Sequence, residues 1–333
     1  MTPLALLIAL LVMAVVFDFL NGFNDSANIV ATMIASRAMS ATGALLLAAT
    51  ANFAGPFLLG VAVAHTVGAE VIQPAAMTIA VVLTALASAS VWNLATWYYG
   101  IPVSSSHALV GGLVGAAVLE AGPGAVQLPG ITKIVVALLL SPLLGFVAAL
   151  AVMGTTRWLL RSATPKANLL LSRAQIVTAA ALALGNGAND AQKTVGIVAL
   201  GLLVLGYTQT FTVPWWSIAL SASALSLGTA LGGGRIVHTL GSRFYHIRPI
   251  HGFAAQLSSA IVITAASLAG GPVSSTQVVS MTIVGAGAAE RKAMVRWAVL
   301  GELLIAWVLT VPATALVAIP MYLLITTVTR GGG

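Results

Sequence analysis

The chain has 333 residues, of which 59% are hydrophobic and only 6% are charged. Soluble domains carry about 25% charged residues, so this composition excludes a water-soluble fold, and the dispersed basic residues behind the +7 net charge offer no surface for nucleic acid. The absence of cysteine excludes disulfides, thiol catalysis and cysteine-based metal sites.

Apolar segments follow one another along the chain, and several approach or exceed the ~20 residues that cross a bilayer. The first, within 3–37, resembles a signal-peptide core but lacks a basic start and a cleavage site, so we predict a retained first helix. Four more segments complete the first half, near 41–64, 75–98, 103–120 and 131–160. The second half has five, near 174–206, 214–232, 253–269, 272–288 and 294–325. Because no alternating strands are visible, we predict an all-α polytopic protein of the cell membrane, surrounded by lipid.

Two polar motifs interrupt the apolar segments, and each of them occurs twice. The first reads GFNDSANIVAT at 22–32 and GANDAQKTVGI at 187–197. The second reads IPVSSSHALVGGLVGA at 101–116 and GPVSSTQVVSMTIVGA at 271–286. The offset between copies is 165 residues for the central Asp of the first motif and 170 for the first Ser of the second. Two motifs in the same order at a nearly constant offset indicate an internal duplication.

The duplication predicts two membrane repeats, 1–166 and 167–333, with about five hydrophobic segments each. An odd number of crossings inverts the second repeat relative to the first, and inverted repeats are the usual architecture of secondary transporters. Segments 3–37 and 174–206 are too long for one straight crossing at 1.5 Å per residue. We therefore expect broken or re-entrant helices at the polar motifs.

The Asn-Asp motifs place two carboxylates, Asp25 and Asp190, within apolar stretches. A charge at membrane depth costs about 2.5–3.5 kcal/mol and is kept where it faces a partner, a cavity or an ion. Gly22, Gly185 and Gly187 are expected to let the helices break, so that backbone carbonyls join the side chains in holding Na⁺, Mg²⁺, Ca²⁺ or a proton. Asp25 and Asp190 are the candidate metal ligands, and an Asp that only caps a contact between helices is the alternative. The candidate cation-binding set is Asn24, Asp25, Asn28, Asn189, Asp190 and Lys193.

The two motifs differ at one position, where Asn28 of the first half aligns with Lys193 of the second. An Asn can coordinate a metal cation, whereas an ammonium repels one and either takes the cation position or pairs with Asp190. We therefore expect fewer bound Na⁺ ions, with coupling to protons or carriage of a neutral metal–phosphate complex. A Lys193 that extends to the membrane interface is the alternative.

The serine motifs predict helices that begin in or near the membrane, because Pro102 and Pro272 each precede a run of hydroxyl residues. A helix N-terminus offers free N–H groups and a partial positive charge. With added hydroxyl donors, two such ends can enclose a tetrahedral oxyanion. Ordinary N-capping and small-residue packing are the alternative. The candidate oxyanion-binding residues are Ser104, Ser105, Ser106, Ser274, Ser275 and Thr276.

Three further polar residues bear on function. His107 either relays protons or acts only as a hydrogen-bonding side chain. Ser106 and His107 are neighbours that point about 100° apart on a helix, so they cannot form a nucleophile–base pair, and an enzyme is not expected. Asp18 lies seven residues before Asp25, on roughly the same helical face. Whether it reaches the site depends on where the helix breaks.

The motif copies resemble the inorganic phosphate transporter (PiT) family, on the segments GFNDSAN, GNGANDAQK, PVSSSHALVGG and PVSSTQVVS. The resemblance spans nearly the whole chain. It implies a secondary transporter of inverted repeats, often a homodimer, that carries phosphate with Na⁺, or with H⁺ as a metal–phosphate complex. By that resemblance the hydroxyl runs bind phosphate, and the Asn-Asp residues bind cation and substrate, namely Asn24, Asp25, Asn28, Asn189 and Asp190.

Two departures from the family pattern narrow this expectation. Lys193 in place of the second Asn resembles the bacterial low-affinity branch, which is coupled to protons or metal–phosphate. The long central hydrophilic loop of many members is missing, so regulation through it is not expected. A sulfate permease of the same architecture is the alternative, and an anion channel is the alternative from another class. No cofactor is expected besides the transported cation, which is H⁺, Mg²⁺ or Na⁺.

Overall fold

The computed structural model describes residues 2–69, 72–73, 76–232 and 234–330. Within these ranges the chain is helical, and its one β-type contact is an isolated antiparallel bridge between Ile72 and Val126. The first six helices are α1 (Pro3–Ala35), α2 (Ala41–Leu59), α3 (Ala62–Ala69), α4 (Ile79–Tyr99), α5 (Ser105–Ala121) and α6 (Leu128–Leu159). The next six are α7 (Ala167–Val204), α8 (Trp215–Leu231), α9 (Gly234–Ser242), α10 (Pro249–Leu268), α11 (Ser275–Glu290) and α12 (Trp297–Arg330).

Seven of these helices are long and apolar enough to cross a membrane, namely α1, α2, α4, α6, α7, α10 and α12. Their outward faces carry large apolar side chains such as Leu139, Val177 and Val308, which are more than half exposed. Such a surface requires lipid contact. The predicted all-α, multi-pass membrane architecture is therefore confirmed.

The order of elements in α1–α6 recurs in α7–α12. Each series starts with a long helix, of 33 and 38 residues. Each contains a short third helix, of 8 and 9 residues, and a short fifth helix, of 17 and 16. A single 3₁₀ turn precedes the last helix in both series. The short helices α3 and α9 were not expected from the sequence. The repeat boundaries 1–166 and 167–333 stay a prediction, and residues 1, 70–71, 74–75, 233 and 331–333 of the predicted segments and repeats lie outside the described ranges.

The long helices α1 and α7 run in opposite directions across one another. Thr194 of α7 donates a hydrogen bond to Asp18 of α1 over 2.5 Å. Further along α1, Ser36 donates to Gln175 of α7 over 2.9 Å. As the numbering rises along α1, the contacted residue of α7 falls, so the two helices are antiparallel. This arrangement supports an inverted second repeat, which as a relation between whole halves stays a prediction.

Both Asn-Asp motifs lie in continuous helix, so the expected break at these motifs is wrong. The glycines there serve close contact between helices instead. A Cβ atom on Gly22 would overlap the backbone of Leu225 in α8, and one on Gly187 would overlap the backbone of Asn52 in α2. Because α1 and α7 stay helical, their backbone carbonyls bond within the helix and are not free for a cation. Side chains alone must supply the ligands at these motifs.

The chain does leave the helical conformation at the serine motifs, as expected. Helix α4 ends at Gly100, whose φ of 68° is in the left-handed region. Ser104 then caps α5 by accepting a hydrogen bond from the N–H of His107 over 3.1 Å. Ser274 caps α11 in the same way, from the N–H of Gln277 over 3.3 Å. Both helices begin at buried residues, so their N-termini lie inside the protein.

An ionic cluster joins the N-terminal end of α10 to the C-terminal end of α11. Glu290, the last residue of α11, binds Arg248 and His251 at the start of α10, with 2.5 Å between Glu290 Oε2 and His251 Nε2. Partial burial by itself would raise the pKa of Glu290. The hydrogen bonds from Arg248 and His251 outweigh it and hold that pKa below its ordinary value.

Candidate functional site

Asp25 of α1 is the centre of a buried hydrogen-bond network. Ser275 Oγ donates to Asp25 Oδ2 over 2.9 Å, and Thr276 Oγ1 donates to Asp25 Oδ1 over 3.0 Å. Asn28 Nδ2 lies 2.8 Å from Asp25 Oδ1 and 3.0 Å from Thr276 Oγ1. Asp25 is 3% exposed. The first Asn-Asp motif therefore contacts the N-terminus of α11, which comes from the second half of the chain.

Asp190 of α7 forms an ion pair with Lys193, one helical turn further along. The distance from Lys193 Nζ to Asp190 Oδ1 is 2.6 Å, and Lys193 is 3% exposed. The ammonium also donates to Ser106 Oγ over 2.6 Å and to the carbonyl of Val273 over 2.8 Å. Ser275 lies 3.4 Å from Asp190 Oδ2 and so contacts both carboxylates. Of the alternatives for Lys193, the structure shows the pairing with Asp190.

The two motifs make matched contacts with the opposite halves of the chain. Asn28 binds the Asp three residues before it and reaches Thr276, the third hydroxyl of the α11 run. Lys193 binds the Asp three residues before it and reaches Ser106, the third hydroxyl of the α5 run. Asn28 and Lys193 thus occupy the same structural role, one as a neutral donor and the other as a cation.

The charges of this network do not cancel. The carboxyl groups of Asp25 and Asp190 are bridged by Ser275 Oγ, at 2.9 Å and 3.4 Å, and neighbouring carboxylates disfavour each other's ionised form. Lys193 offsets one of the two charges. With both carboxyls ionised, one negative charge is left, which a proton or a cation can neutralise.

Two buried amide oxygens beside the carboxyls can serve as cation ligands. Asn28 Oδ1 and Asn189 Oδ1 have no hydrogen-bond partner within the part of the chain that the structure describes. Amide and carboxylate oxygens suit Na⁺, Mg²⁺ and Ca²⁺. The residues that can hold a cation here are therefore Asp25, Asp190, Asn28 and Asn189.

Some predicted site residues point to neighbouring helices. Asn24 donates to the backbone carbonyl of Asn93 over 3.1 Å. Asn189 donates to Ser267 over 3.0 Å and to the carbonyl of Gly271 over 3.2 Å. Asn24 thereby ties the first motif to α4, which leads to the first serine motif. Asn189 ties the second motif to α10 and to the link that leads to the second serine motif. The amide nitrogens of both residues therefore position the backbone around the site.

Five of the six hydroxyls of the serine motifs fall into two groups by their contacts. Ser104 and Ser274 accept hydrogen bonds from their own helices and so act as N-caps. Ser106, Ser275 and Thr276 contact the carboxyls or Lys193. Ser106 also donates to the carbonyl of Val273 over 3.2 Å, which brings the start of α5 against the link that precedes α11.

The sequence of the chain is similar to those of known proteins. Residues 21–318 match the Phosphate transporter family. The chain belongs to this family. It is 43% identical over 319 residues, covering 95% of this chain and 96% of the relative, to a protein of Rhizobium meliloti (strain 1021) named probable low-affinity inorganic phosphate transporter. A Bacillus subtilis (strain 168) protein of the same name is 39% identical over 316 residues, covering 94% and 95%.

The fold of this phosphate transporter family member is also found in a solved structure. A sodium-dependent phosphate transporter superposes with a TM-score of 0.87 over 97% of this chain and 99% of its own, at 24% identity. The family consists of transporters, so the expectation that the chain is not an enzyme is confirmed. Membership and the seven span-length helices together make it a multi-pass protein of the cell membrane.

A narrow cleft lies beside Asp25 in this phosphate transporter family member, and it has no room for a water molecule in this structure. The link between α4 and α5 and the helix α9 border it. Its lining residues are Asn24, Asp25, Asn28, Ile101, Pro102, Val103, Ile236 and Thr276. Because α9 borders the cleft, this short helix lies where it can limit access to the first motif.

His107 faces away from the carboxyls. Together with Gln277, its counterpart in the second serine motif, it lines an apolar cavity between α5, α6, α11 and α12. His107 Nδ1 and Gln277 Oε1 have no hydrogen-bond partner among the described residues. These placements favour neither of the two roles considered for His107.

One buried carboxyl network was only partly foreseen. Asp18 of α1 is 0% exposed and accepts hydrogen bonds from Thr194 and Ser221, each over 2.5 Å. Two features of the sequence point to this network: Asp18 lies on the same helical face as Asp25, and Thr194 directly follows Lys193. Ser221 gave no signal, since it is one of several serines in the apolar helix α8.

Proposed function

We propose that the chain is a secondary active symporter that moves inorganic phosphate together with a cation, with protons or a metal–phosphate complex favoured over Na⁺. One observation carries this proposal. The hydroxyls at the N-terminus of α11 can donate hydrogen bonds to an anion. They are bonded to Asp25, whose carboxylate can bind a cation or a proton. Cation and anion sites that share hydrogen bonds are suited to coupled binding.

The carboxyls favour phosphate over sulfate as the anion. Near neutral pH phosphate still carries a hydrogen that it can donate, whereas sulfate only accepts. An anion bound at Ser275 and Thr276 lies beside Asp25, which is bonded to both hydroxyls. Phosphate can donate a hydrogen bond to this carboxylate, and sulfate would be repelled by it. The names of the relatives from R. meliloti and B. subtilis agree with this assignment.

The hydrogen bonds also suggest an order of binding. The hydroxyl groups of Ser275 and Thr276 both donate hydrogen bonds to Asp25. When Asp25 gains a proton or a cation, it becomes a weaker acceptor, and the two hydroxyls are released for an anion. The cation therefore binds first, and phosphate then meets the free N–H groups at the start of α11 and Ser106 at the start of α5.

Lys193 supports proton or metal–phosphate coupling. It holds its ammonium where the first half of the chain has the amide of Asn28. A fixed positive charge in contact with Asp190 lowers the affinity of that carboxylate for Na⁺. The sodium dependence in the name of the solved relative concerns a protein of 24% identity, with which this chain shares the fold.

We further propose that 1–166 and 167–333 form inverted repeats that move against each other around the site. The antiparallel crossing of α1 and α7 supports this, and so do contacts that join each Asn-Asp motif to the serine motif of the other half. Relative movement of the halves would open the carboxyls to one side of the membrane and then to the other.

The proposal is tested by uptake of radiolabelled phosphate into proteoliposomes. Na⁺, proton and Mg²⁺ gradients are imposed separately, with excess unlabelled sulfate as competitor. We expect uptake that follows the proton gradient, increases with Mg²⁺ and ignores sulfate. Uptake blocked by sulfate would move the substrate to the sulfate alternative, and uptake that follows only Na⁺ would contradict the coupling.

The same assay tests Asp25 through Asp25→Asn. The amide keeps the size of the side chain but carries no negative charge and cannot exchange a proton, so we expect uptake to fall to background while membrane insertion is unchanged. Glu302→Gln is the matched control, because Glu302 is 61% exposed and pairs with the surface residue Arg243. Full uptake by Asp25→Asn would remove Asp25 from the proposed site.

A further inference from the structure

Asp18 forms a second buried carboxyl site, separate from the Asp25–Asp190 network. Thr194 Oγ1 contacts Asp18 Oδ1 and Ser221 Oγ contacts Asp18 Oδ2, each over 2.5 Å. The three residues come from α1, α7 and α8, and they are at most 4% exposed. None of these contacts belongs to the anion or cation site described above.

The hydrogen-bond pattern favours a neutral carboxyl at Asp18. Ser221 has a single hydroxyl proton but two acceptors, Asp18 Oδ2 at 2.5 Å and the carbonyl of Ala191 at 3.2 Å. If Asp18 carries a proton on Oδ2, it donates to Ser221, and Ser221 donates to Ala191. All three groups are then satisfied. An ionised Asp18 has to compete with Ala191 for the one proton.

Lys193, which directly precedes Thr194, is engaged elsewhere. Its ammonium has three protons, and these are directed to Asp190, Ser106 and the carbonyl of Val273. Asp190 itself is the charged group that faces Asp18 from α7, and its sign is negative. A buried carboxylate with a like charge nearby and no counter-ion is strongly disfavoured relative to its protonated form.

Among the side chains that the structure describes, the other helices packed on α1 supply no compensating charge beside Asp18. The sequences of α2, α4 and α8 contain no Asp, Glu, Lys, Arg or His. The charged side chains of α10 and α11, His251 and Glu290, are bonded to each other at the N-terminal end of α10 and the C-terminal end of α11. Helix α9 contacts α1 near Ala31 through Gly241 and borders Asn24 through Ile236.

The spacing of the oxygens fits a proton better than a metal ion. Separations of 2.5 Å are within the range of O–H···O hydrogen bonds. Oxygen ligands that each lie about 2.0–2.6 Å from a shared cation stand further apart than this. The position matched to Asp18 in the second half, 165 residues later, is Ala183. The acid is therefore not needed for the helix crossing itself.

We propose that Asp18 is a proton-binding site and carries a proton that moves with phosphate. This inference rests on the proposed function and specifies where its proton binds. Both partners of Asp18 lead to the second Asn-Asp motif: Thr194 directly follows Lys193, and Ser221 touches the carbonyl directly after Asp190. Loss of the proton places a negative charge behind this motif and draws Lys193 away from Asp190 and Ser106. The charge of Asp18 is thereby linked to the geometry of the phosphate site.

The test uses Asp18→Asn, whose amide donates to Ser221 and accepts from Thr194 as the protonated acid would, but cannot release a proton. In proteoliposomes we measure phosphate accumulation and proton entry together under an imposed gradient of about one pH unit. Each coupled proton then supports about tenfold accumulation. We expect Asp18→Asn to accumulate phosphate about tenfold less, with fewer protons per phosphate. Unchanged accumulation and stoichiometry would overturn the proposal. Glu302→Gln is the acid-to-amide control.

A second measurement decides the case in which Asp18→Asn moves no phosphate. Infrared spectra of purified full-length protein at neutral pH are compared between the wild type and Asp18→Asn. We expect a carbonyl band of a protonated carboxyl in the wild type that is missing from the variant, and its absence from the wild type would overturn the proposal. This readout needs no transport. If wild-type phosphate uptake proves independent of protons, the coupling proposal fails in the first assay while the infrared band still reports on Asp18.

Discussion

Asn28 and Lys193 show how one residue can set the charge of the proposed transport site without changing its geometry. Both donate to the Asp three residues earlier, over 2.8 Å and 2.6 Å. Both reach the third hydroxyl of a serine motif. The amide leaves its carboxylate free to bind a cation, whereas the ammonium neutralises its own. The choice between the two side chains therefore determines how many cations the site needs.

Lys193→Asn should therefore shift the coupling towards Na⁺. The substitution keeps a donor towards Asp190 and Ser106 but removes the positive charge, so the paired carboxylates need one further cation. We expect phosphate uptake into proteoliposomes to become stimulated by an inward Na⁺ gradient that has little effect on the wild type. Lys166→Asn is the control, since Lys166 is exposed in the link before α7. Strict proton dependence that persists in Lys193→Asn would refute the role given to Lys193.

At the residue scale, the sequence predicted which motifs meet but not which atoms do so. The duplicated patterns identified Asp25, Asp190 and the hydroxyl runs. They did not distinguish Ser104, which caps its own helix, from Ser106, which contacts Lys193. That distinction depends on the direction of each side chain at a helix start. Likewise, the partner of Asp18 on α8 lies 203 residues away, and no local pattern encodes such a contact.

At the scale of elements, glycine has a different role from the one that the sequence suggested. The glycines of the Asn-Asp motifs were expected to break helices, but α1 and α7 continue through them. Sequence alone does not separate the two roles, because a glycine in an apolar helix fits both a kink and a close crossing. The deciding fact is the backbone of the neighbouring helix, which lies where a side chain would be.

Gly187→Ala should destabilise the protein. Its Cβ would overlap the backbone of Asn52, which cannot move without shifting α2, and forced overpacking costs about 1–3 kcal/mol. We expect a lower midpoint of thermal unfolding in detergent than for the wild type. Gly154→Ala in α6 is the matched control. Nothing lies within 4 Å of its new Cβ, and Ala is favoured over Gly in a helix by roughly 0.5–1 kcal/mol. Equal midpoints for both variants would contradict the close-contact role.

At the scale of the whole molecule, the site depends on contacts between the two halves of the chain. The first Asn-Asp motif is bound by hydroxyls of α11, and Lys193 of the second motif is bound by a hydroxyl of α5. Every movement of one half against the other therefore changes the site itself. The cleft beside Asp25 is bordered by Ile101 and α9 and has no room for water in this structure, so access along it requires these elements to move.

Ile101→Cys tests whether access along this cleft changes during transport. The natural sequence has no cysteine, so a single introduced thiol is labelled without background. Ile101 is 37% exposed at the cleft. We expect a membrane-impermeant thiol reagent to label Ile101→Cys from one side of the membrane, and saturating phosphate with a proton gradient to slow the labelling several-fold.

The control for this labelling is Ser162→Cys, in the exposed link between α6 and α7. Its rate should be the same with and without phosphate, because no change in the cleft reaches it. If phosphate leaves the labelling of Ile101→Cys unchanged as well, the cleft is not a path that closes during transport. If phosphate slows the labelling of Ile101→Cys only when a proton gradient is present, access along the cleft is linked to proton coupling.

The matched but unequal contacts of Asn28 and Lys193 also bear on how such a protein can evolve. Two identical half-length chains that pair with each other carry the same residue at both positions. A lysine there would neutralise both carboxylates, and an asparagine would leave both charged. Only after the halves are fused into one gene can a mutation alter one position and spare the other. Fusion thus gives natural selection access to a coupling chemistry that no symmetric pair of half-length ancestors could have reached.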